Sequence, residues 1–281
     1  MTSFELLTPA TADEAMAALR AASGDGAAAL AGGTDLLLDL EEGRVSTHRV
    51  VSLRRLPWRT LDWTGASLTI GSTLPLRRIE FDPRVRSELP GLLDAVRAVG
   101  GPALRHRATV GGNLARAAPA SDLVPVLLTL DAEVDLVGPG GDRRLPLDRF
   151  IEGSRRTSLA PSELIRSIRI PEARPSSYLW QRVRPANDIS QIAVAVAFSP
   201  SRRSWTVAVG GVAPRPVLVP AAAEPLDGPR PSEAAVERAG AAMSQLAPVA
   251  ADKRGSEEYR RRLAGTLVGR AVRATVGRMP P

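Results

Sequence analysis

Two pairs of adjacent glycines, each flanked by small polar residues, are the segments of this chain best suited to chemistry. Residues 31–35 read Ala-Gly-Gly-Thr-Asp, and residues 109–113 read Thr-Val-Gly-Gly-Asn. Paired glycines let a backbone adopt positive φ and approach a ligand closely. Successive N–H groups can then form a nest for an anion such as a pyrophosphate. The two segments therefore indicate a phosphate-bearing ligand, although glycine-rich turns with a purely structural role have the same composition.

The familiar nucleotide and metal motifs are missing. The sequence contains neither the Gly-Lys-Ser/Thr of a Walker loop nor a Gly-x-Gly-x-x-Gly dinucleotide fingerprint at these segments. Without cysteine, the chain cannot form disulfides, bind an iron–sulfur cluster through thiolates or build a cysteine zinc site. The only histidines, His48 and His106, are far apart in sequence, and we expect neither to bind a metal.

Composition limits the possible partners and location. The formal charge of +7 invites a nucleic-acid function, but the basic residues are scattered among acids and the aromatic fraction is only 4%, so we expect no nucleic-acid binding. No apolar run approaches the ~18 residues of a membrane span. The first residues lack the basic and apolar regions of a secretory signal, which predicts a cytoplasmic protein.

The hydrophobic pattern predicts the elements around the first glycine pair. Residues 4–7 form an apolar run typical of an edge strand, and residues 11–14 have the form of a capping box that starts a helix ending near Gly24. A buried strand at 28–30 then leads into the glycine pair, and residues 36–40 look helical. Another short strand is expected at 49–53.

The rest of the chain predicts an α+β protein with two mixed modules followed by a smaller one. Hairpins are expected at residues 61–70 and around 134–141, and a strand at 163–170. Helices are expected at 74–79 and 91–99, and a third, capped by Ser121, should continue to about Leu130. Residues 171–175 look like a linker. Strands at 191–198 and 205–212, a proline-rich loop at 214–231 and helices at 232–246 and 256–276 complete the pattern. The predicted units are residues 1–56, 57–173 and 174–281.

Several segments resemble one enzyme family in the correct order. Residues 30–37 and 107–114 look like the two FAD motifs of the medium, FAD-binding subunit of the xanthine dehydrogenase / carbon monoxide dehydrogenase family, which are molybdenum hydroxylases. Residues 118–125 continue the match, as do the shorter segments at 71–73, 161–165 and 252–260. The similarity covers nearly the whole chain.

The resemblance implies a fold, a cofactor and a binding site. The family fold is an FAD-binding domain of two α+β subdomains, of the p-cresol methylhydroxylase / vanillyl-alcohol oxidase type, followed by a small α/β C-terminal domain. FAD would lie between the subdomains, with its diphosphate on the glycine segments, its hydroxyls at the Ser-Asp pair and a ring on the Leu-Ile pair. The implied cofactor-binding residues are Ala31, Gly32, Gly33, Thr34, Asp35, Leu36, Thr73, Thr109, Val110, Gly111, Gly112, Asn113, Ser121, Asp122, Leu164, Ile165 and Gln181.

The resemblance also implies partners and a place in electron transfer. A large subunit would oxidise the substrate at a molybdenum cofactor, and a small iron–sulfur subunit would pass electrons to the FAD of this chain. The external acceptor would be NAD, a quinone or oxygen. No acid–base residue is needed here, and we predict no catalytic residue in this chain.

The sequence departs from the family pattern at one position and allows two alternative functions. Many relatives have lysine near Gln181, which can donate a hydrogen bond but carries no charge. The flavin potential is therefore not implied by the resemblance. The alternatives are a free-standing FAD-dependent oxidoreductase with the same fold and a flavin-free scaffold with a basic face.

Overall fold

The first subdomain is a small parallel sheet whose connections run through helices. The computed structural model describes residues 3–20, 26–184 and 188–279. The sheet order is β1-β3-β2, and both pairings are parallel, as helical crossovers require. Its elements are β1 (Glu5–Leu7), α1 (Ala12–Arg20), β2 (Ala27–Leu30), α2 (Leu36–Glu41), β3 (Arg49–Ser52) and a 3₁₀ turn (Leu53–Arg55).

Local sequence signals placed these elements correctly. β1 is an edge strand, as predicted. The capping box is present, because Thr11 Oγ1 accepts a hydrogen bond from the Glu14 N–H at 3.2 Å and Glu14 Oε2 accepts one from the Thr11 N–H at 3.3 Å. The predicted end of this helix at Gly24 lies outside the described residues. β2 leads directly into the first glycine pair, which precedes α2, but none of its residues is buried, so the predicted burial of this strand is wrong.

The second subdomain is a five-stranded antiparallel sheet covered by short helices. The sheet order is β4-β5-β10-β6-β7, and the two predicted hairpins are its β4–β5 and β6–β7 pairs. Its strands are β4 (Leu61–Thr64), β5 (Ser67–Gly71), β6 (Glu133–Gly138), β7 (Gly141–Pro146) and β10 (Leu164–Ile170), with β8 (Ile151–Gly153) and β9 (Arg156–Thr157) forming a separate ribbon.

Seven helices cover this sheet, and their apolar side chains pack with those of the strands in one core. All seven residues of α8 are buried, which agrees with their continuous apolar sequence. The second glycine pair lies in the first turn of α7, not in the turn that the sequence suggested. The helices are α3 (Leu76–Glu80), α4 (Pro83–Glu88), α5 (Pro90–Ala98), α6 (Pro102–Arg105), α7 (Val110–Arg116), α8 (Leu123–Thr129) and α9 (Leu147–Phe150).

The C-terminal domain is a four-stranded antiparallel sheet in the order β11-β12-β13-β14. The predicted antiparallel pair is its β12–β13 centre. The proline-rich segment predicted as a loop contains β14 and α10, so that prediction is wrong in part. The elements are β11 (Ser176–Gln181), β12 (Ile192–Ser199), β13 (Ser204–Gly210), β14 (Val217–Leu218), α10 (Pro220–Ala223), α11 (Glu233–Leu246) and α12 (Glu257–Gly277).

The two faces of β12 belong to different cores. Ala193, Ala195 and Ala197 face the second subdomain and join the core that contains α8. The alternate residues Val194 and Val196 pack in the core formed with α11 and α12. Because side chains alternate along a strand, small residues line one face and β-branched residues the other. The C-terminal domain therefore shares a tightly packed core with the rest of the chain.

The segment at 171–175 is anchored instead of loose. Glu172 accepts hydrogen bonds from Arg174 Nε at 2.8 Å, Ser199 Oγ at 2.7 Å and the Ser201 N–H at 3.1 Å. Burial alone would raise the pKa of Glu172. The hydrogen bonds from Ser201, Ser199 and Arg174 outweigh burial and lower the pKa to about 2, from an ordinary value of 4.5.

This anchor predicts a pH-dependent stability for Glu172→Gln. Because the folded-state pKa of Glu172 lies below its ordinary value, its carboxylate stabilises the fold above pH 4.5, and this contribution is lost as the pH falls towards 2. At neutral pH we expect the variant to lose about 1–2 kcal/mol of unfolding free energy. At about pH 3.5 its deficit in urea unfolding should be smaller.

The control is Glu258→Gln, which removes an exposed carboxylate paired with Arg262 on α12. We expect that variant to unfold like the wild type at both pH values, because exposed ion pairs contribute little. An equal deficit of Glu172→Gln at both pH values would contradict the proposed role of its charge.

Candidate cofactor site

A cavity of about 550 Å³ lies between the two subdomains, and both glycine pairs contribute to its wall. Residues of the β2–α2 connection form one side, and residues of the α7–α8 region form the other. The wall contains fourteen of the predicted positions: Ala31, Gly32, Gly33, Thr34, Asp35, Leu36, Thr109, Gly111, Gly112, Asn113, Ser121, Asp122, Leu164 and Ile165. It does not contain Thr73, Val110 or Gln181.

The first glycine pair offers free backbone donors to this cavity. Gly33 has φ of +79°, a left-handed conformation that favours glycine. Within the described residues, the N–H groups of Gly32, Gly33 and Thr34 donate no hydrogen bond. Buried or half-buried N–H groups need acceptors. This turn therefore fits an anionic ligand, as the sequence suggested.

The second glycine pair has a different role from the one the sequence suggested. Gly111 and Gly112 do not adopt positive φ, because both lie in the first turn of α7. The Gly111 N–H donates to the Ser72 carbonyl at 3.1 Å, and the Gly112 N–H donates to Thr109 Oγ1 at 3.0 Å. These donors are used within the chain, so no second anion nest forms here.

One glycine of each pair, Gly111 and Gly32, instead allows two backbone segments to approach closely beside the cavity. A Cβ at Gly111 would lie 2.6 Å from the carbonyl oxygen of Ser72. A Cβ at Gly32 would overlap the carbonyl oxygen of Arg107 and lie 2.8 Å from its carbonyl carbon. Real Cβ atoms do not tolerate such contacts with backbone. The glycines at 32 and 111 are therefore required for close packing of the site.

One polar side chain of the cavity wall lacks a partner within the described chain, which also indicates a ligand. Ser72 lines the cavity, and its buried hydroxyl has no hydrogen-bond partner among the described residues. Its neighbour Thr73, the residue predicted from the sequence, also has a buried hydroxyl without a partner in the described chain, but it lies outside the cavity wall.

Ser121 connects the two polar segments of the wall. Its hydroxyl donates to Asn113 Oδ1 at 2.6 Å and accepts from the Val124 N–H at 3.3 Å. Ser121 thus supplies the predicted side-chain hydrogen bond to the first turn of α8, although the N-cap position itself belongs to Asp122. The bond also fixes Asn113, whose amide nitrogen donates no hydrogen bond within the described part of the chain.

Arg116 was missed by the sequence analysis. It pairs with the buried Asp39 of α2 and lies 3.4 Å from Asp35. The hydrogen bond from Arg116 is the largest influence on Asp39 and lowers its pKa, assisted by Arg44 at 2.7 Å. Among the described residues, Arg116 is the only cation that lines the cavity. Asp39 lies 77 positions from Arg116 in sequence, beyond the reach of any local pattern.

Asp122 is held by residues of the C-terminal domain. Its carboxylate accepts hydrogen bonds from Tyr178 Oη at 2.6 Å, Arg182 at 2.9 Å and Ser190 Oγ at 3.1 Å. It makes no side-chain capping bond to α8, although it occupies the capping position. Burial raises the pKa of Tyr178 well above its ordinary value, so its hydroxyl stays a donor.

Apolar side chains form the remaining wall. Leu164 and Ile165 begin β10 and are buried, and they are joined at the cavity by Leu53, Leu104, Leu159 and Ile189. Such a surface suits a flat aromatic ring. Gln181 does not contribute to it, and its amide donates to the Arg182 carbonyl at 2.9 Å. The predicted direct contact of Gln181 is therefore not supported by the cavity wall.

Comparison with known families decides what kind of protein has this site. Residues 2–173 match the family described as the FAD binding domain in molybdopterin dehydrogenase. Residues 177–275 match the family described as the CO dehydrogenase flavoprotein C-terminal domain. The chain belongs to the FAD-binding subunits of the molybdenum hydroxylases. The family resemblance, the fold class and FAD as cofactor are thereby confirmed.

Individual relatives agree over nearly the full length. The chain is 28% identical to the carbon monoxide dehydrogenase medium chain of Hydrogenophaga pseudoflava, with 98% of each chain covered. It is 31% identical to the nicotine 6-hydroxylase medium subunit of Paenarthrobacter nicotinovorans, covering 86% of this chain and 87% of that subunit.

Solved structures show the same fold. The structure of carbon monoxide dehydrogenase from Hydrogenophaga pseudoflava superposes with a TM-score of 0.90 at 28% identity, covering 99% of each chain. Quinoline 2-oxidoreductase from Pseudomonas putida gives a TM-score of 0.90 at 25% identity and the same coverage. These relatives are multi-subunit enzymes, and this chain is an FAD-binding oxidoreductase subunit of their kind. No helix within the described ranges could cross a membrane.

Proposed function

We propose that this chain holds FAD in the cavity between its two glycine pairs and relays electrons to an external acceptor. The electrons come from iron–sulfur clusters on a small partner subunit, and a large partner subunit oxidises the substrate at a molybdenum cofactor. The observation that carries the placement is the set of unused N–H groups of Gly32, Gly33 and Thr34 at the cavity wall. The designation of two relatives as a medium chain and a medium subunit supports the two further subunits.

The cavity wall divides into regions that suit the parts of FAD. The free N–H groups and Arg116 would hold the diphosphate, because they combine backbone donors with the only lining cation of the described chain. Ser72, Asn113 and Asp122 would bind the sugar and ribityl hydroxyls. The apolar surface formed by Leu164 and Ile165 would pack against a ring.

The chemistry belongs to the cofactor, and the chain supplies binding and orientation. Bound FAD supplies the capacity to exchange electrons singly or in pairs. The described cavity wall contains four carboxylates, and each is paired with an arginine, so none is a free base: Asp35 and Asp39 with Arg116, Asp122 with Arg182, and Glu163 with Arg143. We therefore assign no acid–base residue. NAD, a quinone or oxygen would accept the electrons.

Copurification and reduction of the complex test this function. The full chain should be isolated with its partner subunits, and the flavin, iron and molybdenum contents measured. We expect bound FAD to be reduced by the substrate of the large subunit in the complex, and to stay oxidised when the isolated chain meets the same substrate. Reduction of the isolated chain would instead support the free-standing oxidoreductase.

Replacing Arg116 tests the proposed diphosphate site. Arg116→Gln removes the only cation in the described cavity wall, so we expect the affinity for FAD to fall by roughly 1.5–3 kcal/mol. Arg116→Lys keeps the charge and should recover part of the loss. Titration of the apo chain with FAD, followed by flavin fluorescence, gives these dissociation constants.

The matched control is Arg262→Gln, which removes an exposed arginine on α12. It should bind FAD like the wild type. If Arg116→Gln also binds FAD like the wild type, the diphosphate does not lie beside Arg116.

A further inference from the structure

The two carboxylate oxygens of Asp122 have unequal surroundings. Oδ1 accepts hydrogen bonds from Tyr178 Oη at 2.6 Å, from Arg182 at 2.9 Å and from Ser190 Oγ at 3.1 Å. Oδ2 accepts only from Arg182, at 2.9 Å. A carboxylate oxygen has two lone pairs. Oδ1 is therefore fully used within the chain, whereas Oδ2 can accept one more hydrogen bond.

All three donors come from the C-terminal domain. Tyr178 lies in β11, and Arg182 and Ser190 lie in the connection between β11 and β12, whereas Asp122 precedes α8 of the FAD-binding domain. Arg182 also donates to the Ala98 carbonyl at 2.9 Å, which ties it to the end of α5. The donors thus bridge the two domains at the cavity.

The network is buried, so each of its bonds matters. Tyr178 is 1% exposed, and Ser190 and the Arg182 side chain are also largely shielded from water. A buried polar group that loses its partner costs more free energy than an exposed one. The positive charge of Arg182 also compensates the negative charge of Asp122, which would otherwise lie unpaired near the diphosphate of FAD.

We infer that Tyr178, Arg182 and Ser190 of the C-terminal domain are positioning residues of the cofactor site, which hold Oδ1 of Asp122 so that Oδ2 accepts a hydroxyl of FAD. The inference rests on the proposed placement of FAD in the cavity. The C-terminal domain would thus contribute to FAD binding indirectly, through Asp122 of the FAD-binding domain. None of the three donors was among the predicted site residues.

A double-mutant cycle in the full chain tests this coupling. The variants are Tyr178→Phe, Asp122→Ala and the double variant, and the measurement is the dissociation constant for FAD. Tyr178→Phe removes one hydrogen bond to Oδ1 and should weaken FAD binding roughly three- to tenfold. Asp122→Ala removes both carboxylate oxygens and should weaken it roughly 10- to 100-fold. The double variant should bind FAD like Asp122→Ala alone, because Tyr178 acts through Asp122.

A structural role alone would give another pattern. If Tyr178→Phe weakens FAD binding by the same factor with and without Asp122→Ala, or leaves the affinity unchanged, the inference is overturned. Tyr259→Phe is the matched control, because Tyr259 is exposed on α12, and it should leave FAD affinity unchanged. Thermal unfolding of each apo variant identifies loss of folding. If Tyr178→Phe unfolds, the milder Ser190→Ala takes its place in the cycle, with the same coupling expected.

Gly33→Val separates failure of this inference from failure of the proposed placement. If Gly33→Val loses FAD while the Asp122 and Tyr178 variants retain full affinity, FAD lies in the cavity and only the positioning role fails. If Gly33→Val also retains full affinity, the placement of FAD itself is wrong.

Discussion

Gly33→Val should yield a folded chain that retains less than roughly a tenth of the wild-type FAD. Gly33 has φ of +79°, a conformation that valine adopts only with strain. A Cβ there would also lie 3.0 Å from a methyl group of Leu37 and 3.1 Å from one of Leu30. The turn must therefore change its conformation, which would rotate the free N–H groups of residues 32–34 away from the cavity. Flavin absorbance per purified chain measures the result.

The control for Gly33→Val is Gly65→Val. Gly65 also has positive φ, at +57°, but a Cβ there meets nothing within 4 Å, and the residue lies in the β4–β5 turn outside the cavity wall. Gly65→Val therefore introduces a similar backbone strain at a position that does not contact the site. Equal flavin loss in both variants would mean that general destabilisation, and not the turn at Gly33, removes FAD.

Among substitutions that add one methyl group to a glycine of the site, Gly32→Ala should lower stability and FAD content the most. Its Cβ would overlap the backbone carbonyl of Arg107, and a backbone atom cannot move aside as a flexible side chain can. Relief requires the first glycine turn to separate from the segment that precedes α7. We expect a loss of about 1–3 kcal/mol in unfolding free energy. We also expect the loss of most bound FAD, since the two cavity walls move apart.

Gly140→Ala is the matched control for this variant. Gly140 has ordinary φ and open space around it in the β6–β7 turn, so the added methyl group should change neither stability nor FAD content. Thermal unfolding and flavin content are measured for both. A Gly32→Ala chain with normal stability and full FAD would show that the two walls are not held in contact at Arg107.

Sequence signals that act over a few residues predicted much of the fold. The capping box at Thr11, the two hairpins and the β12–β13 pair are all present, because turn residues and apolar alternation determine them locally. The proline-rich segment at 214–231 was less informative, since β14 and α10 are each too short to show a period.

The glycine segments of the candidate site were predictable from the sequence, but the ion pairs around it were not. Residue types and spacing indicated both glycine segments, and the family resemblance indicated FAD, but only the structure distinguishes a turn with free N–H groups from the first turn of α7. The partners of Asp122 lie 56 to 68 positions away, and Arg116 lies 77 positions from Asp39. Such pairs arise from tertiary packing, which no local pattern encodes.

The two-faced strand β12 limits how this chain could be recombined with its relatives. A chimaera joined near residue 175 would import a new sheet surface as well as a new domain. Residues larger than Ala193, Ala195 and Ala197 on that surface would press on α8, which directly follows Asp122. The halves are thus not interchangeable modules, and a functional exchange would have to carry α8 together with the strand that supports it.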